Sequence, residues 1–220
     1  MDLLWFAILN DWAILLPILL CSVGCLGVFF ERMLYFRKNK LLTAEFVHQL
    51  ERDLEYGHDA ARATAGRHPG IIGEVTLEGL TILDKHPHRF ESMFDVTVSL
   101  ASRDLDRGLA ILGTIATVSP YLGLFGTVIR ILLTFGEMAQ KQTNENASAV
   151  MFGIGSALIA TAFGLGVAIV SVALNNYFRT HVERFAGDFE DLKLVLLGAI
   201  GGASAKRQPP MPHRPARSEI

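Results

Sequence analysis

The residues best suited to chemistry in this 220-residue chain are hydroxyls in apolar surroundings. Thr127 lies within "SPYLGLFGTVIRILLTF" (119–135), and Thr161 within "GIGSALIATAFGLGVAI" (153–169). The first stretch also holds Pro120 and the cation Arg130, and the second holds Ser156. Two readings of the threonines are open: each hydroxyl bonds a carbonyl of its own helix, or the pair lines a narrow polar path for an ion or water. Ser156 precedes Thr161 by five residues, about 140° around a helix, so the two need not share a face. Arg130 either extends to the membrane interface beside Glu137 or stands as a cation at the mouth of the path. Pro120 removes a backbone donor and leaves the Ala116 carbonyl to Ser119 or Thr117.

What is missing narrows the chemistry further. The apolar runs contain no Asp or Glu; Glu31 and Glu137 stand at their edges. A proton carrier needs a titratable group at depth in the membrane, so if protons pass here the carboxylate comes from another chain. Cys21 and Cys25 read as small buried hydrophobes, since two thiols cannot close a metal site. His86 and His88 flank Pro87 in a loop and read as solvated. With no convergent set of His, Cys, Asp and Glu, the expectation is a protein that is not an enzyme and takes no cofactor or metal. A net charge of −2 and the lack of a basic stripe argue against nucleic acid.

The elements that must position these groups are membrane helices. Half of the residues are hydrophobic and the mean hydropathy is +0.35, but the apolar residues are concentrated in three runs of at least about 18. The expected order is an external amino terminus at 1–11, a first span at 12–30 containing Pro17, and a helical cytoplasmic domain at 31–108. A second span at 109–135, an external loop at 136–149 with an "NAS" sequon at Asn146, and a third span at 150–174 follow. A cytoplasmic helix extension at 175–202 and a disordered, basic, proline-rich tail at 203–220 complete it. Arg32, Arg37, Lys38 and Lys40 after the first span set the orientation by the positive-inside rule. The soluble stretch reads as amphipathic helices stopped at Gly57, at "GRHPG" and at "DKHPHR". The last of them runs toward the second span with no evident breaker, which predicts one long rod. The fold class is all-α and membrane-embedded.

The second and third spans are rich in small residues. Gly123 and Gly126 on one, and Gly153, Gly155, Ala157 and Gly164 on the other, recur at spacings that let helix backbones approach closely. These faces therefore meet protein, either each other or further copies of the chain.

"DRGLAILGTIATVSPYLGLFGTV" followed by "GIGSALIATAFGL" resembles the TolQ/ExbB proteins of the MotA/TolQ/ExbB proton-channel family, closely over 105–174 and loosely over the whole chain. The resemblance implies a homo-oligomer, a pentamer in this family, in the bacterial inner membrane. It would surround an ExbD- or TolR-like single-span partner that carries a membrane aspartate. Proton flow would then energise a TonB- or TolA-like protein. Thr127 and Thr161 match the two family threonines on the pathway. The chain departs from the family at two places: Ser156 stands where the family commonly has glutamate, and the adjacent Ile129 and Arg130 stand where an aromatic residue and a glycine are usual. A non-conducting scaffold and a stator-like subunit are the alternatives, although stator proteins usually have four spans.

Overall fold

The computed structural model describes residues 12–140 and 146–206, and all regular structure among them is helical. In chain order the helices are α1 (Trp12–Lys38), α2 (Ala44–Tyr56), α3 (His58–Arg67), α4 (Ile71–Lys85), a 3₁₀ turn (Pro87–Arg89), α5 (Phe90–Asp106), α6 (Leu109–Gln140) and α7 (Asn146–Lys206). Three of them contain stretches long and apolar enough to cross a membrane: Leu15–Lys38, Leu109–Met138 and Val150–Ala199. The expected amino-terminal segment 1–11 and residues 207–220 of the expected tail lie outside the described residues, as does 141–145 of the expected loop. Helix α6 continues to Gln140, Asn146 opens α7, and α7 runs on to Lys206.

At about 1.5 Å per residue, the 61 residues of α7 measure roughly 90 Å, about three times a bilayer's hydrocarbon core. One face of α7 is buried along most of its length. Ala157, Gly164, Ser171, Phe178, Phe185 and Leu192 follow one another at intervals of seven, all of them buried. A strict seven-residue repeat keeps one seam of a helix against its neighbours. Its side chains change along the way from small to large: Ala, Gly and Ser, then Phe, Phe and Leu.

The predicted uninterrupted rod from α5 into the second span is not what the structure has. The chain breaks at Gly108, which adopts φ 83°, a left-handed conformation that favours glycine. The break is held from outside. The Arg32 guanidinium is 2% exposed and donates to the Leu105 carbonyl at 3.2 Å, placing a cation on the last turn of α5, where the helix dipole favours it. Its other arm pairs with Glu31 at 3.0 Å. The turn thus depends on a residue more than seventy positions away.

The chain forms two compact units. The first comprises the chain to Arg37 together with Leu105–Glu183. Its core joins Cys25 and Val28 of α1, Leu109, Leu112 and Ile115 of α6, and Phe178 of α7. Phe36 stacks on Phe178 at 5.7 Å. Ser171 donates to the Cys25 sulfur at 3.2 Å, so Cys25 serves as a buried packing residue with one polar contact.

The second unit comprises Lys38–Asp104 and the chain from Arg184. Thr43 caps α2 by accepting from the Phe46 amide at 3.3 Å, and Gly57, at φ 142°, ends that helix. The Asn39 side chain accepts from the Ile71 amide at the start of α4. Leu50, Ile72, Leu80, Phe94, Phe185, Phe189, Leu192 and Leu196 are buried, each contributing about 1.5–3 kcal/mol relative to exposure. A Cβ at Gly79 would meet Leu196 at 2.7 Å and Phe94 at 2.8 Å, so any larger residue here obliges those side chains to shift. His86 and His88 are exposed.

His68 packs against the Phe46 ring at 4.5 Å. Burial holds its pKa below the ordinary 6.5; a backbone hydrogen bond at Pro69 opposes this and the Lys40 charge reinforces it. The unfolded chain therefore binds this proton more readily than the folded one. Its contribution to stability is complete above about 6.5 and is lost as pH falls through the lowered folded value. Thermal melts of the purified protein are expected to show a lower midpoint at pH 5.5 than at pH 7.5. His68→Phe, which keeps the ring contact but cannot titrate, is expected to reduce that difference. An undiminished difference in the variant would assign it to other groups.

Candidate functional site

Helices α6 and α7 meet along a seam of small and polar residues. On α6 the buried face is Leu112, Ile115, Ser119, Gly123, Gly126, Arg130 and Thr134; on α7 it is Gly153, Ser156, Ala157, Ala160, Gly164, Ala168 and Ser171. The pairing is antiparallel: Gly164 lies against Ser119 and Gly123, Gly123 against Ala160 and Thr161, and Gly153 against Thr134. A Cβ at Gly164 would sit 2.6 Å from the Ser119 carbonyl oxygen and 3.0 Å from the Gly123 Cα. At Gly123 it would sit 3.0 Å from the Thr161 Cα. These two glycines mark where backbone touches backbone, the arrangement small residues permit between membrane helices. Ala157 is 1% exposed and Gly155 half-buried.

This close approach brings the two threonines together. The Thr127 and Thr161 hydroxyls hydrogen-bond to each other across the seam. Thr127 also reaches the Gly123 carbonyl at 3.1 Å and the Ala157 carbonyl at 3.3 Å, and Thr161 reaches the same Gly123 carbonyl at 3.0 Å. Thr127 thus reaches a carbonyl of its own helix, whereas Thr161 reaches one on α6, and the two hydroxyls face one another. Both threonines remain half-buried. The Gly123 carbonyl lies within hydrogen-bonding distance of both hydroxyls.

One turn further along α6, Arg130 is 5% exposed and its Nε donates to the Ser156 hydroxyl at 3.1 Å. Ser156 donates in turn to the Gly153 carbonyl at 3.0 Å, and Thr134 donates to the Arg130 carbonyl at 2.9 Å. The Arg130 Nε is thus held on Ser156 of α7, while Glu137 is exposed. Ser156 and Arg130 form one hydrogen-bonded site.

Pro120 is half-buried within an α6 that stays helical through it. Neither expected server of the freed Ala116 carbonyl takes that role. Thr117 donates to the Gly113 carbonyl at 2.9 Å, and the fully buried Ser119 hydroxyl has no partner among the described residues. Of the polar seam residues, Ser171 is the one not singled out from the sequence, although 157, 164 and 171 repeat at seven-residue intervals.

A family model for the MotA/TolQ/ExbB proton channel family matches residues 67–191, more than half of the chain and all of the seam. The chain belongs to the MotA/TolQ/ExbB proton channel family. Among its relatives, the biopolymer transport protein ExbB of Salmonella typhimurium is 30% identical over 210 residues, covering 89% of this chain and 86% of that protein. ExbB of Aquifex aeolicus is 42% identical over 127 residues, covering 55% of this chain and 85% of the relative. The Tol-Pal system protein TolQ of Pseudomonas aeruginosa is 34% identical over 121 residues, with coverages of 55% and 48%. The residues of this MotA/TolQ/ExbB member matched by the family model begin at the end of α3 and end at Asp191 of α7. They include both threonines, Arg130 and Ser156.

Proposed function

We infer that this chain is a TolQ/ExbB-like subunit of an ion-driven motor in a bacterial inner membrane. The observation that carries the reading is the Thr127–Thr161 pair, half-buried and facing across the α6–α7 seam. The chain's own apolar runs supply no acid, so the proton-carrying carboxylate comes from an ExbD- or TolR-like single-span partner. The hydroxyl pair is the place on this chain where that carboxylate exchanges its proton. Several copies of the chain, a pentamer by family resemblance, surround the partner. Proton flow through the assembly moves a TonB- or TolA-like protein. The amino terminus lies outside and the charged helical unit lies in the cytoplasm, as the basic cluster after α1 favours.

The experiment is proton flux into liposomes containing this chain and its co-purified single-span partner, read with a pH-sensitive dye under an imposed membrane potential. Flux is expected only when both proteins are present, and it is expected to vanish when the partner's membrane acid is replaced by its amide. A second reading has one specific observation in its favour: both hydroxyls also bond backbone carbonyls, as they would in a non-conducting scaffold. A stable complex with no flux would favour the scaffold.

A further inference from the structure

Within the second unit, the start of α2 and the later part of α7 flank a groove of about 480 Å³. Leu42, Val47, Leu194 and Val195 form its apolar part, and Asp188 and Asp191 stand along the α7 wall. Asp188 is half-buried and accepts from the Leu42 amide at 2.8 Å, which ties the start of α2 to α7. Asp191 is exposed. Among the described residues neither carboxylate forms an ion pair, and His48 at the rim lies 3.6 Å from Glu51 instead. Two like charges three residues apart on a helix repel each other, and a cation docked against them relieves that repulsion. Leu194 beside them is 62% exposed. The groove therefore suits an extended segment that is both basic and apolar.

The chain itself continues with a segment of that chemistry. Residues 207–220 read "RQPPMPHRPARSEI", with Arg207, Arg214 and Arg217, four prolines and a single acid, Glu219. Helix α7 ends at Lys206, roughly 22 Å beyond Asp191 and 27 Å beyond Asp188 at 1.5 Å per residue. Pro209 and Pro210 cannot continue a helix, and a proline-rich segment advances about 3.1 Å per residue with three residues per turn. After a reversal of about two residues, some seven to nine more cover the distance back. That brings the stretch from Arg214 to Arg217 level with Asp191 and Asp188, with Pro212 and Pro215 flanking the level of Leu194. Arg214 and Arg217 are one such turn apart and so share a face.

We propose that residues 207–217 turn back along α7 and dock in this groove, with Arg214 and Arg217 paired to Asp191 and Asp188. An exposed ion pair contributes little by itself. The covalent tie compensates, because a short linker gives an effective concentration on the order of millimolar, at which a weak contact is already populated. The docked segment spans both walls and clasps the start of α2 to α7 beside the Leu42–Asp188 bond. This inference is independent of proton flow and of the motor reading.

The test uses the full chain in bilayer nanodiscs, with a benzophenone amino acid in place of Ala216. Illumination is followed by denaturing electrophoresis and mass mapping of the adducts. The expected product runs at monomer mass and joins the segment to peptides containing 42–48 or 188–195. Its yield is expected to fall at least about threefold in R214Q/R217Q and in D188N/D191N, a loss that two exposed ion pairs can supply. Asparagine at 188 keeps an oxygen for the Leu42 amide, and the arginine variant leaves the helical unit unaltered, so misfolding does not explain the loss. Salt at 1 M, where the Debye length is about 3 Å, is expected to act in the same direction. Adducts at dimer mass alone would give the groove to a second copy and overturn the proposal. So would adducts confined to other peptides, an absence of adducts, or a yield indifferent to all three changes.

Discussion

Gly164→Leu is expected to cost about 3 kcal/mol or more of stability and to disperse the α6–α7 pair. The reason is local. Even the first carbon of a side chain at this position would press to 2.6 Å on the Ser119 carbonyl and 3.0 Å on the Gly123 Cα. Both are backbone atoms of α6, so no rotamer change relieves the clash and the helices must separate. Overpacking of a well-packed interior typically costs about 1–3 kcal/mol, and here the whole seam is displaced with its hydrogen bonds. Gly113→Ala and Gly166→Ala are the controls, since a side-chain carbon at either meets nothing within 4 Å. They are expected to stay within about 1 kcal/mol of the parent, in line with the better helix propensity of alanine. Unfolding of detergent-solubilised protein would compare the three. Equal losses would mean that the seam does not depend on the contact at Gly164.

Thr127→Val combined with Thr161→Val is expected to reduce partner-dependent proton flux by at least about tenfold while leaving the fold in place. Valine has nearly the shape of threonine, so the seam still closes. The lost hydroxyl bonds cost about 0.6–1.7 kcal/mol each in membrane helices. What disappears is the hydroxyl pair that a partner carboxylate would meet. Loss of about 1.4 kcal/mol of barrier lowering is already tenfold in rate. Thr127→Ser with Thr161→Ser keeps both hydroxyls and should retain most of the flux. Flux in the valine pair equal to that of the parent would remove these threonines from the pathway and leave them as a helix clamp.

Much of the architecture was legible from residue type and spacing. The apolar runs revealed three helices long and apolar enough to cross a membrane, because a helix satisfies its own backbone polar groups in lipid. Small residues on the second and third spans marked the packing faces, and Gly57 marked a helix end by its own chemistry. The break at Gly108 was not legible. "DLDRGLAIL" carries no proline, and a single glycine within a helical pattern is commonly tolerated. What holds the turn is Arg32, contributed by a distant helix to the Leu105 carbonyl.

The candidate site divides in the same way. The sequence by itself determined that two threonines, a serine and an arginine lie in helices with small-residue faces, and that no acid of this chain accompanies them. Those conclusions follow from composition and periodicity, which act locally. Only the tertiary structure decided which groups meet. Thr127 and Thr161 are 34 residues apart, and Arg130 and Ser156 are 26 apart. Their pairing depends on the register at which Gly123 and Gly164 let the antiparallel helices touch. A shift of one residue rotates a helix face by about 100°. It would part both pairs while leaving every local signal unchanged, so the register, and with it the site, is set by packing between distant segments.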